Sequence, residues 1–579
     1  MRLDDISRLA LAALVAFSAA ACGGDRPGPG AGGDDSDVPE AERYGGTVVI
    51  GGFGDLQGMN PMTGSDFNSN NIMRSMLMMT LVTYDENIEL QPYLAERWDT
   101  VRVATDTLEI TWHLRRDIRW HDGTPTTGED VLFTFQRVTD PATAYPNLQK
   151  FAHYDRNATL VDPYTVKMRL RPHADFMDIF TMLPIAPAHV LGDVPPAGLL
   201  QHSFQNEPVG NGPFRFVRRV PGQEWVFDAN ADFPEALGGR PYVDRVIYRY
   251  IPEMTTLLTE LRNGRIDVYL GPNPNQADQL ASAPGVDLRA YPSLQWTYLA
   301  FNTRLPQFQD ARTRRAIAMA IDRQQIVDAL AYGYGDIGRA TVTPTHWGYD
   351  ADATVPYDTA AARRLLAEAG WTPGPDGILR DAQGRPFRFT LITNAGNDLR
   401  RDMMEYIQAQ LRPLGIAVQP RLVEWTSMIQ TLQGSLNAQG ERVRNFEAVI
   451  GAWVSFHQHD DTGILHSRNL TQPYQYVGYS NPRSDLLIDS INVTLDRGHA
   501  RELYSEHQRL LVQESPYVPL YYPERLTALR TRLRNVTLDT RGEFATIRDW
   551  WIHPSERRAP RGGAAGPGDT SAAVADTAP

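Results

Sequence analysis

Apolar and polar residues alternate through Leu108, Ile110, Trp112 and Leu114, and that spacing of two predicts a strand with one buried face. Asp122 and Gly123 follow, a pair that tolerates a left-handed backbone and so reverses the chain; Pro125, with a fixed φ and no N–H, ends any pairing. Thr127 stands three residues before Asp130 and just ahead of Val131, Leu132 and Phe135, so it is predicted to cap a new helix. Upstream, residues 45–52 read as a short apolar strand. Residues 71–84 carry Met73, Met76, Leu77 and Leu81 at helical spacing, which predicts a helix with a methionine-rich core face. Val166, Met168 and Leu170 alternate as a strand, and a turn cluster at 208–213 leads into Phe214 and Phe216.

The second half favours alternating helices and strands. Leu257, Leu258 and Leu261 share a helix face that Gly264 ends, and residues 266–269 read as the strand that follows. Residues 296–303 predict the strand that opens a second lobe. Asp310 is placed to cap one helix and Asp322 the next, with Gln325 as its capping-box partner and Gly333 as its stop. Asp358 caps a stripe of Ala361, Ala362, Leu365, Leu366 and Ala369, closed by Gly370, with Trp371 free to fold back. Residues 387–393, 399–411 and 416–423 spell strand, helix and strand, a βαβ unit that favours a sheet covered on both faces. Further strands are predicted at 446–453 and 518–522 and a helix at 503–513.

Composition narrows the class. With 579 residues, 42% of them apolar, the chain is long enough for two or three cores. A formal net charge of −13 argues against a protein that tracks nucleic-acid phosphates. The one cysteine, Cys22, excludes an internal disulfide. It follows an apolar run at 9–21, shorter than the roughly 20 residues that span a bilayer, so residues 1–21 read as an export signal. That pattern resembles a bacterial lipoprotein signal, in which the Cys22 thiol would carry a lipid; Ala19 departs from the usual leucine, and the alternative is an ordinary secretory signal. The Gly/Pro/Asp segment at 22–43 reads as a flexible linker and the low-complexity stretch at 557–579 as a disordered tail.

Three phrases together resemble one family. The first joins Leu90, Pro92, Leu94, Ala95, Glu96 and Trp98 to Leu114, Arg115, Trp120, His121, Asp122, Gly123, Pro125, Asp130 and Val131, departing at Asp117 and Gly128. The second is PVGNGPF at 208–214, and the third runs from FNTRLPQF through AIDRQQIV at 301–327. The chain resembles the substrate-binding proteins of peptide, nickel and opine ABC importers, solute-binding family 5, over residues 45–553. The resemblance implies an α/β, bilobal periplasmic-binding-protein-like fold of class II or cluster C type. Mixed sheets would be flanked by helices, with an extra small subdomain in the first lobe. It places lobe I at 44–85 and 208–292 with a subdomain inserted at 86–207, lobe II at 293–505, and a return to lobe I at 506–556. A monomer is expected, exported and lipid-anchored at the membrane, facing the periplasm or the cell exterior, with a short peptide or similar small organic solute held between the lobes, ABC permease subunits as partners and no cofactor.

Candidate chemistry points to binding more than to catalysis. The chain holds no G-x-S-x-G, HExxH, C-x-x-C or phosphate-binding G-x-x-x-x-G-K-[ST], and His121-Asp122 reads as a turn bonded to its own backbone. A secreted hydrolase on another scaffold is the alternative of a different class. In peptide-binding relatives an Asp three residues beyond the strand-ending Trp holds the ligand's ammonium; counting from Trp453, this chain has Phe456 there. The expected ligand-binding set is Trp453, Phe456, His457, Trp296, Trp425, Phe67 and Asn394. His457 and His459, spaced two apart with Asp460, Asp461 and His466 nearby, keep open a nickel or metal-chelate ligand on the same fold.

Overall fold

In the computed structural model, which describes residues 38–558 apart from 65, 147, 152, 156–157, 173–175, 456 and 458, strand Thr107–Leu114 buries every second side chain, as its pattern requires. Ala95–Ala104, Thr165–Leu170 and Thr159–Asp162 complete a four-stranded antiparallel sheet around it. Helix Gly128–Thr139 lies against that sheet, its first turn closed by a capping box in which Thr127 and Asp130 each take the other's backbone amide. The Trp120 indole donates to Asp130 Oδ2 at 3.2 Å, which fixes the turn to the helix.

That turn also clasps the second phrase of the sequence. His121 N donates to Gly210 O at 2.7 Å and its ring Nε2 to Gly212 O at 3.0 Å. Asn211, between them, accepts from Met79 N at 2.8 Å and donates to Thr126 Oγ1 at 3.3 Å. A Cβ on residue 210 would lie 1.9 Å from Leu77 O, so only glycine admits this approach. Burial pushes the His121 imidazole down to about 4, and the neutral ring serves as a structural donor.

The methionine-rich segment departs from expectation. Helix Phe67–Ile72 passes into a wider π turn at Met73–Leu77 and stops; Val82–Tyr84 is a strand. Periodicity alone carried the predicted helix to residue 84. The long-range bond from Asn211 takes the Met79 amide instead, and Met76, Leu77, Met78 and Met79 are all fully buried. Elsewhere the predicted caps hold: Asp310, Asp322 and Asp358 each accept backbone amides at a helix start, and Trp371 folds back to stack on Phe387 at 4.2 Å.

Two lobes follow from where the cores lie. One large hydrophobic cluster joins the sheet of Thr47–Gly52, Arg245–Tyr250, Glu224–Ala229 and Phe214–Val220 to the four-stranded subdomain. A second cluster surrounds Arg388–Asn394, Ala417–Val423, Ala448–Val454 and Gln295–Phe301, with helices Ala311–Met319 and Asp398–Leu411 packed on it. The βαβ unit is present, with Arg388–Asn394 parallel to Ala417–Val423. Strand Tyr517–Arg530 belongs to both lobes: Tyr517–Tyr521 pairs with Gln295–Phe301, and Thr527–Leu529 with Val268–Leu270. The chain thus crosses between the lobes inside that strand, and helix Arg497–Glu514 packs on Ala311–Met319.

The export signal at 1–21, Cys22, Phe456 and residues 559–579 lie outside the described residues. Part of the expected linker is ordered: Glu40–Arg43 forms a helical turn, and Tyr242 donates to Glu40 at 3.1 Å. Arg557 and Arg558, expected in the tail, bond Ile552 O and Asp267. Among the described residues no helix is long and apolar enough to cross a membrane.

Candidate functional site

Where the lobes meet, the chain encloses a cavity of about 720 Å³, within the few hundred to a thousand Å³ typical of small-ligand sites. One wall comes from the first lobe: Phe67 and Arg74 from the helix and its π turn, Tyr84 from the strand Val82–Tyr84, and Asp178 from the subdomain. The inter-lobe strands and the link before Gln295 contribute Ser293, Gln295 and Arg525, the C-terminal segment Arg541 and Arg548, and the second lobe Val454, Ser455 and His457. A cavity lined by both lobes and by the strands that cross between them changes shape whenever the lobes rotate about those strands.

Ion pairs organise the walls. Arg541 grips Asp539 through two parallel bonds of 3.0 and 2.6 Å, and Arg548 meets Asp549 at 2.6 Å. Glu543, 2% exposed, is a buried hub behind these walls. It takes Arg525 at 2.6 Å, the Tyr291 hydroxyl at 2.9 Å and Asn71 Nδ2 at 2.6 Å. Arg525 in turn lies 4.1 Å above the Phe67 ring, a cation–π contact that sets the orientation of both. Tyr84 donates to Asp178 at 3.0 Å and meets the His457 ring edge-on at 5.2 Å, a contact from one lobe to the other. Burial pulls the His457 imidazole below its ordinary range, opposed by the Asp178 charge.

The sequence-derived candidates divide. Phe67 and His457 line the cavity. Trp453 and Trp296 sit directly opposite each other in the antiparallel ladder, just behind the cavity wall at Val454 and Gln295. Trp453 stacks on Tyr476 at 5.3 Å, and Trp296, 1% exposed, packs edge-on to Tyr517 at 5.6 Å. Trp296 thus acts as a packing residue that braces the wall. Asn394 accepts from Arg400 at 2.8 Å, and its strand partner Val423 stands two residues before the exposed Trp425. Both occupy the carboxyl edge of the parallel strands, away from the cavity lining. Phe456 lies outside the described residues.

The two histidines of the metal alternative diverge. His457 faces Tyr84, whereas His459 is buried beside His346 and Tyr504, its Nε2 3.2 Å from Asp461. Among the described residues no group of three or more His, Cys, Asp or Glu is placed to hold a metal ion. Sequence reasoning missed Arg74, Asp178, Arg525 and the charged loop at 539–549. The signal for Arg74 was present as a lone charge inside a methionine run; the loop residues belong to no motif and reach the cavity through tertiary packing.

The family model for bacterial extracellular solute-binding proteins, family 5 (middle), matches residues 89–473. The chain belongs to that family. This solute-binding protein is 28% identical over 563 residues to the oligopeptide-binding protein AppA of Bacillus subtilis, covering 95% of this chain and 99% of that one. It is 27% identical to heme-binding protein A of Haemophilus influenzae over 77% of this chain and 81% of the relative. The solved structure of the Bacillus subtilis AppA in complex with a nonapeptide superposes with a TM-score of 0.73 at 26% identity, covering 88% of this chain and 99% of that one. The two-lobed fold of the solute-binding protein is therefore that of its family.

Proposed function

We propose that this solute-binding protein is the substrate-binding component of an ABC importer, which captures a short peptide in the inter-lobe cavity and delivers it to a membrane permease. The observation that carries this reading is the cavity itself: about 720 Å³, lined by both lobes and by the strands that cross between them, in a chain similar over 95% of its length to an oligopeptide-binding protein. Burial of ligand and of lobe surface then stabilise one closed arrangement together. The N-terminal pattern supports export, with a lipid on Cys22 as the anchor that keeps a monomer beside its permease.

A hydrolase reading has one geometric point in its favour. Ser484 Oγ lies 3.0 Å from His507 Nε2, and His507 Nδ1 is 3.6 Å from Asp461. Ser484 is fully buried, however, and joins helix Pro482–Val493 to Arg497–Glu514. A nucleophile that no substrate can reach is a structural hydroxyl.

Incubating the purified protein with peptide pools tests the proposal. The expected result is a higher melting temperature, a smaller radius of gyration by X-ray scattering, and recovery of the peptides intact. Cleaved products would favour the hydrolase, and scattering and melting that ignore every peptide would overturn the proposal. Cys22→Ser is expected to move the protein from the membrane to the soluble fraction; a variant that stays on the membrane would overturn the lipid anchor.

A further inference from the structure

Among the described residues four arginines line the cavity, and three of them are neutralised by the protein itself. Arg541 is paired with Asp539, Arg548 with Asp549 and Arg525 with Glu543, each at 2.6 Å. Arg74 differs. Its Nη2 donates to the backbone O of Arg541 at 2.6 Å, but among the described residues no carboxylate oxygen comes within 4.0 Å of its guanidinium. The residue lies on the π turn Met73–Leu77, with buried Met73 and Met76 in the same turn, and it lines the cavity. Asn70, Asn71 and Ser75 bring further polar groups to the same wall.

Such an arrangement is costly without a ligand. Burial disfavours the charge of Arg74, and Glu543 and Asp178 offset this only from beyond ion-pair distance. Asp178 faces the cavity from the subdomain, bonded by Tyr84 at 3.0 Å, and Glu543 is held by Arg525, Tyr291 and Asn71. Neither carboxylate closes on the guanidinium. A guanidinium cannot shed its proton, so the remaining remedy is an anion from outside. Its planar fork fits a carboxylate through two parallel bonds.

We infer that Arg74 is the anchor for a carboxylate of the captured ligand, which makes it a specificity-determining residue of the cavity. This rests on the peptide-binding reading above and adds a polarity to it: the ligand's anionic group is held in the first lobe, on the turn that ends helix Phe67–Ile72. In a peptide that group is either the C-terminus or an Asp or Glu side chain.

Four synthetic pools of tetra- to hexapeptides decide the matter, with and without Asp and Glu, each made as C-terminal acids and as C-terminal amides. Binding to the full mature chain is measured by titration calorimetry at low salt. Wild-type protein is expected to bind carboxylate-bearing pools at least about ten-fold more tightly than the amidated pool without Asp or Glu, as one charge-assisted hydrogen-bonded contact provides. The two pools with a single source of carboxylate tell which source is used. Arg74→Gln is expected to bind all four pools within about three-fold of one another, and Arg74→Lys to keep part of the preference as a point charge. Equal wild-type affinity for all four pools would overturn the assignment while leaving the peptide reading intact, and that arm requires no variant. A preference undiminished in Arg74→Gln would also overturn it. If wild-type protein bound none of the pools, the peptide reading and this inference would fall together.

Discussion

Asp267→Asn isolates the contribution of a single buried carboxylate to the first lobe. Asp267 is fully buried and its two oxygens receive four donors: Val49 N at 2.9 Å, Arg532 Nε and Nη2 at 2.7 and 2.8 Å, and Arg558 Nη2 at 2.8 Å. The cluster joins strand Thr47–Gly52 to Arg532 and Arg558. An asparagine keeps the shape but offers one acceptor oxygen, and its NH₂ faces N–H donors. Removing one partner of a buried pair leaves the other charge uncompensated, at about 3–5 kcal/mol. For a lobe of this size the melting temperature is expected to fall by on the order of 10 °C. Differential scanning calorimetry provides the reading, with peptide affinity as the control. Asp267 lies outside the cavity lining, so the folded variant should bind peptide as wild type does. A melting temperature within about 3 °C of wild type would refute the view of this cluster as a clasp.

Two other perturbations probe the lobes separately. Gly210→Ala drives a Cβ to 1.9 Å from Leu77 O and should destabilise the first lobe by about 1–3 kcal/mol, read by thermal unfolding; a neutral outcome would mean the loop shifts freely. In the second lobe, burial pushes His507 down to about 4, against about 6.5 in the unfolded chain. Between those values the unfolded chain takes up more protons, so stability falls as pH drops through the window. Urea unfolding is expected to show a loss of about 2 kcal/mol from this group between pH 7 and pH 5, and His507→Gln should flatten the profile by that amount. An unchanged slope in the variant would count against it.

Local chemistry was legible wherever the deciding partners are near in sequence. Thr127 and Asp130 spell their own capping box, Asp358 and Gly370 bracket their helix, and Trp371 returns to the last turn of that helix. Long-range pairing overrode local pattern in the methionine run. Met73, Met76, Leu77 and Leu81 keep helical spacing, yet Asn211 takes the amide of Met79 from another part of the chain, and the helix ends at the π turn. The same distance effect governs the site. His457 and Phe67 were visible as polar or aromatic residues near recognisable strands. Trp296 was read by its residue type as ligand-facing, and the ladder register turned it inward toward Tyr517.

By itself the sequence determined the alternating strand at 107–114, the strand–helix–strand unit at 388–423, several caps and stops, and, through three phrases, the family. Each of these depends on neighbours a few residues apart, where backbone geometry leaves few choices. Only the tertiary structure decided which charges face the cavity, which of them pair, and that Arg74 meets no carboxylate among the described residues. Those outcomes depend on bringing residues 67–84, 178, 457 and 525–549 to one place, which hydrophobic burial of two separate cores accomplishes without any local signal.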